Sequence, residues 1–206
     1  MVSEGRTAPA ADGPGPPPPG HLGPLGDALV ACGLVLSAIP RLLAWLPPVA
    51  LGAVIFHLSS SELDIDAIGS STLGHYVANL GHPGAFGILA LLVAAALAPR
   101  ARTLRGPWAL LTPERGLWAV VLTTLYGLTD ELHQATVPGR DASLLDLLGD
   151  FVGALFAVLV VLAVGNPRTT RAALRRLLLV GLVLSFASAG VATWWDEARG
   201  TGPWPF

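Results

Sequence analysis

Five apolar stretches between Leu42 and Trp195 decide what this chain can fold into. An α-helix pairs its backbone N–H and C=O groups internally. A run of roughly 17–25 apolar residues can therefore cross the ~30 Å hydrocarbon core of a bilayer without exposing an unpaired polar group. The stretches are Leu42 to Leu58, with Pro47 and Pro48 placed to kink it; about Pro83 to Ala98; Leu117 to about Thr129, running on into Asp130; Leu144 to Val164; and about Leu177 to Trp195. The last ends on Trp194-Trp195, an aromatic pair suited to a membrane interface. Charge content points the same way. Only 13% of the 206 residues are charged, against about 25% in soluble domains. The expected fold is all-α, a polytopic transmembrane helix bundle.

Other functions are disfavoured by what is missing. The net charge of −2 leaves no basic excess for nucleic acid. Cys32 is the single cysteine, so neither an intrachain disulfide nor a cysteine-rich metal site is available. Residues 1–24 carry Glu4, Asp12 and the run Pro14 to Pro19 with no apolar core, so they read as a disordered Pro/Gly-rich tail and not as a secretory signal. Leu25 to Ile39 is apolar too. Fusing it to the first span would bury Arg41 at about 2.5–3.5 kcal/mol near the bilayer centre. Making both full spans leaves almost no turn beyond Pro40-Arg41. Residues 25–41 are therefore expected to form an interfacial or half-inserted helix. Residues 42–164 would make the membrane core, and 165–206 a basic loop, the fifth span and a short outer end.

Arginine placement orients the bundle. Arg100, Arg102, Arg105 and Arg115 flank the connection between the second and third spans, and Arg168, Arg171, Arg175 and Arg176 the connection between the fourth and fifth. The first connection holds Glu62, Asp64 and Asp66 instead. Positive residues favour the cytoplasm. The tail and both basic loops are expected inside, and Asp130 to Ser143 outside.

That outer segment carries the chemistry. Asp130-Glu131-Leu132-His133-Gln134 ends the third span, a turn containing Pro138-Gly139-Arg140 follows, and the fourth span opens with Ser143, Asp146, Asp150 and Gly153. Asp146, Asp150 and Gly153 share one helix face; Asp130, His133 and Gln134 share another. Asp150 should lie about 9 Å below Leu144, too deep for a free surface carboxylate, and such groups usually face a partner inside the bundle. Ser143 to Asp146 also fits a capping box.

These residues resemble the VanZ-like membrane family, named for a protein associated with resistance to the glycopeptide teicoplanin. Asn79-Leu80-Gly81-His82 is similar to the family's histidine motif opening the second span, and Ser59-Ser60 fits its pattern after the first. The resemblance covers about Leu42 to Val164. It implies a four-helix core with the C-terminal span as an addition. Two positions depart: Asn79 stands where the family often has lysine, and Asp150 where it often has asparagine.

Three functions compete. The resemblance implies a multi-pass protein of the bacterial cell membrane that influences glycopeptide sensitivity. An enzyme acting on an envelope lipid or lipid-linked phosphate would use His133 as acid or base with Glu131 or Asp130 orienting it. Arg140 would then grip the anion, and Gln134, Asp146, Asp150 and His82 would complete the binding site. A small transporter would draw on Asp150. Structural readings stand beside these: a salt bridge from Arg140, a solvated helix end at Asp130-Glu131, and interfacial roles for His57 and His75. No cofactor motif is present and no ligand set has a known metal spacing, which leaves a metal site open. The expected partners are the bilayer and an envelope lipid or glycopeptide-related ligand.

Overall fold

A computed structural model describes residues 22–60, 71–100, 103–138 and 142–199. The expected tail up to residue 21, Glu62, Asp64, Asp66, Arg102 and Arg140 lie outside the described residues. The helices are α1 (Pro24–Ala38), α2 (Leu46–Ser60), α3 (Thr72–Leu97), α4 (Pro113–Gln134), α5 (Leu144–Gly165) and α6 (Arg171–Arg199). Short 3₁₀ turns at Arg41–Leu43 and Gly106–Leu110 precede α2 and α4. No strand occurs among the described residues, and the chain is an all-α helix bundle.

Four segments are long and apolar enough to cross a membrane: Arg41–Ser60, Thr72–Leu97, Leu144–Gly165 and Arg171–Ala198. Two expected boundaries move. Pro47 and Pro48 sit in the first turn of α2, where a missing N–H costs nothing, so they start the helix and do not kink it. The second span begins at Thr72, not near Pro83, because Ser71 caps it by accepting a hydrogen bond from the Gly74 amide. Pro83 lies inside α3 and leaves the Asn79 carbonyl without its helical donor.

α4 falls outside that set of four, although its expected apolar stretch lies within it. The cause is its composition, since polar and charged side chains dilute its apolar run, and most of those in its C-terminal half point inward. Thr123, Asp130, Glu131 and Gln134 are buried, while Leu117, Trp118, Leu125 and Leu132 project outward, Leu132 at 62% exposure. The helix runs antiparallel along the length of α5. Gly116 meets Val158 and Leu162 at one end, Gly127 meets Asp150 further on, and Glu131 meets Ser143 at the other end. It thus presents hydrocarbon to lipid and polar groups to the bundle.

α5 packs against α3, α4 and α6, and α2 lies outside against α3 and α4. The tightest crossing is α3 on α5: a Cβ on Gly153 would lie 2.1 Å from the Pro83 carbonyl oxygen. Such an approach requires glycine, as expected for packing between membrane helices.

The two ends of the bundle differ. At one, Arg100 donates to the carbonyls of Ala95, Ala96 and Ala98, and Arg105 donates to Val164 and Asn166, satisfying helix C-termini. There α1, fifteen residues long, docks on the second 3₁₀ turn through Trp108 Nε1, which donates to the Leu29 carbonyl at 2.8 Å. The opposite end gathers the C-termini of α2, α4 and α6 with the N-terminal parts of α3 and α5, and it holds Asp130, Glu131, Asp146, Asp150 and Asp196, whereas Asp27 and Glu114 lie at the arginine end.

Candidate functional site

α4 divides the site in two, because successive helical residues point about 100° apart. Asp130, His133 and Gln134 face α2, whereas Glu131 faces α5. On the α2 side, Asp130 is 3% exposed and accepts from Ser59 Oγ at 2.6 Å and from Gln134 Nε2 at 3.0 Å. His133 Nε2 lies 2.9 Å from Ser60 Oγ, and its ring stacks on Phe56 with centroids 4.3 Å apart. One turn deeper, Tyr126 donates to the Gly52 carbonyl at 2.5 Å. These polar contacts tie α2 to α4.

The second half lies among α3, α4 and α5. Asp150 is fully buried, and its Oδ1 is 3.0 Å from His82 Nδ1. Its Oδ2 turns toward α4, where a Cβ on Gly127 would lie only 2.6 Å away. Glu131, 5% exposed, accepts from the Ser143 amide through Oε2 at 2.6 Å. Ser143 in turn caps α5 by accepting from the Leu145 and Asp146 amides, each at 3.3 Å. Only half of the expected capping box therefore forms. The reciprocal bond to the Ser143 amide comes from Glu131, which leaves the Asp146 carboxylate free to turn inward. Glu131 Oε1, Asp146 Oδ1 and Asp150 Oδ2 are buried without a hydrogen-bond partner.

The sequence correctly placed Asp130 with Gln134 on one face, and Asp146 with Asp150 and Gly153 on another. His133 stands with Asp150 in the expected site, but the structure does not pair the two. Its partners are instead Ser60 and Phe56, and His82 takes Asp150. Arg140, expected to form a salt bridge or to grip an anion, lies outside the described residues. Sequence spacing also missed a contribution from α6: Asn79 Nδ2 is 3.2 Å from both Thr193 Oγ1 and Asp196 Oδ2. Nothing in the periodicity of α6 marks Asp196 as a neighbour of α3. The Ser59-Ser60 signal lay in the resemblance alone.

An apolar groove of about 560 Å³ opens between α2, α3 and α4, lined by Trp45, Val49, Phe56, Leu89, Leu122 and Tyr126. Phe56 belongs both to this groove and to the polar cluster, through its stack on His133.

A model of the VanZ/LLP1 family matches residues 36–165, more than half of the chain, and leaves α6 beyond the match. Neither curated proteins nor solved structures provide a match to this chain.

Proposed function

The chain belongs to the VanZ/LLP1 family, and from that premise we propose that it is a multi-pass protein of the bacterial cell membrane that alters sensitivity to teicoplanin-type glycopeptides by engaging an envelope lipid. The observation that carries this reading is the continuity of the apolar groove with the polar end of α4. A chain lying along Val49 and Leu122 would reach Phe56, and a headgroup above it would meet His133, Ser60 and Gln134. Arg140, between α4 and α5 in the sequence, is the candidate for gripping a phosphate or carboxylate bidentately.

Binding is better supported than catalysis on the α2 side. Ser60 Oγ lies 2.6 Å from the Phe56 carbonyl, and with its single proton on that bond it accepts from His133 in the Nε2–H tautomer. A hydroxyl held this way is not activated by the imidazole as a nucleophile would be. The enzyme reading rests instead on the unpartnered carboxylates beside His82.

Deletion and overexpression in a native host should shift dose–response curves for glycopeptides or lipoglycopeptides relative to other cell-wall drugs. The same strain carrying Ala53→Trp, which fills the groove, should lose that shift. The purified variant should retain less co-purifying lipid than the parent. No shift for any drug at confirmed expression would remove the proposal. An Ala53→Trp protein with full phenotype and full lipid content would remove the groove from it.

A further inference from the structure

We infer that His82, Glu131 and Asp146 form a binding site for one divalent cation of the Zn²⁺ or Mn²⁺ type, with Asp150 orienting the imidazole from behind. One ligand atom from each of the three residues lies within 4.8 Å of the other two. Ligand atoms around a tetrahedral ion with bonds of ~2.1 Å lie about 3.4 Å apart, so the gap to close is at most about 1.4 Å, which rotation of two carboxylates can supply. The residues come from three helices, α3, α4 and α5, so an ion would join the elements at the polar end of the bundle.

The cluster also shows unmet bonding capacity. Glu131 Oε1 and Asp146 Oδ1 have no hydrogen-bond partner, and neither does Asp150 Oδ2 behind them. Glu131 and Asp150 are almost or wholly removed from solvent. Buried carboxylate oxygens without partners are rare, and an ion is one of the few things that accounts for several at once. The arginines whose bonds are described in this bundle, Arg100 and Arg105, sit at the opposite end on helix C-terminal carbonyls.

The imidazole is set as a ligating histidine should be. With His82 Nδ1 donating to Asp150 Oδ1, the lone pair is on Nε2. A histidine that binds metal through one nitrogen commonly donates the other N–H to a carboxylate, which fixes its tautomer and raises its basicity. Glu131 is positioned comparably, since the Ser143 amide holds Oε2 while Oε1 has no partner. One nitrogen and two carboxylate oxygens suit Zn²⁺ or Mn²⁺ better than a cation that prefers an all-oxygen shell. Three protein ligands leave coordination positions open to water or an anionic oxygen. The site does not depend on the lipid reading, so an absent antibiotic phenotype leaves it untouched.

The test uses the full chain without a polyhistidine tag, purified in detergent, stripped with chelator and titrated calorimetrically with Zn²⁺ and with Mn²⁺. One equivalent of at least one ion should bind and raise the unfolding temperature. Glu131→Gln and Asp146→Asn should each weaken binding at least tenfold, and Asp150→Asn by about 10–100-fold as an outer-shell change. His133→Ala and Asp130→Asn, on the α2 side, should bind like the parent. Should Glu131→Gln fail to fold, Asp146→Asn carries the comparison, because Asp146 is only partly buried. No bound ion in the parent, or parental affinity in both Glu131→Gln and Asp146→Asn, would overturn the assignment.

Discussion

Gly127 and Asp150 meet where α4 crosses α5, with Oδ2 of the carboxylate in the space that a side chain would need. A Cβ there would also lie 3.1 Å from Phe86 Cε1, so neither neighbour has much room to retreat. Gly127→Ala should lower stability by about 1–3 kcal/mol, the usual cost of overpacking. Gly81→Ala is the matched control, since nothing lies within 4 Å of its would-be Cβ. It should be neutral or gain up to about 1 kcal/mol from helix propensity. Thermal unfolding of the two variants in detergent checks the pair, and equal losses would refute the contact. At this scale the sequence revealed which residues share a face, because helical spacing fixes that. It did not reveal which neighbour each face meets. That choice depends on how far a helix turns about its own axis, and small residues such as Gly127 and Gly153 set it through how closely backbones approach. Spacing alone therefore does not tell that His82, and not His133, meets Asp150.

Among the elements, α5 was the most legible and α3 the least. Ser143 and the apolar run after it mark the start of α5 locally. Pro83 misled because a proline usually opens a helix, and Ser71, the real cap, precedes a half-polar turn that no apolar window includes. The α3–α5 crossing should be the least forgiving contact between two α-helices of the bundle. A Cβ on Gly153 meets the carbonyl carbon, oxygen and Cα of Pro83, which are backbone and cannot rotate away. Gly153→Ala should cost about 3 kcal/mol or more, toward the upper end of overpacking, and more than Gly127→Ala. Ser143→Ala should cost about 0.5–2 kcal/mol as a lost N-cap. Chemical denaturation of the three variants under one condition would show whether the order holds.

Across the whole molecule the segregation of charge has a direct test. The arginine-bearing end, with α1 docked on it, is expected in the cytoplasm, and the carboxylate–histidine end outside. In a Cys32→Ser background, an impermeant thiol reagent on intact cells should label Ala142→Cys and spare Ala101→Cys. The reverse pattern would invert the bundle. Five crossings were read from the sequence, and the helix that length and composition alone do not flag is α4, whose hydropathy is diluted by the side chains that build the site. That dilution bears on how the protein is made. Helices emerge from the ribosome in chain order, and a carboxylate entering lipid unaccompanied is unfavourable, by about 2.5–3.5 kcal/mol at a helix centre and by less near an end, where Asp130 and Glu131 stand. When α4 emerges, α2 and α3 have already been synthesised, and Ser59 can receive Asp130 at once. The Ser143 amide that Glu131 needs has yet to be translated. Glu131 therefore gains its partner only when α5 lies beside α4, and the two helices are expected to enter as a hairpin closed by the bond from Ser143 to Glu131.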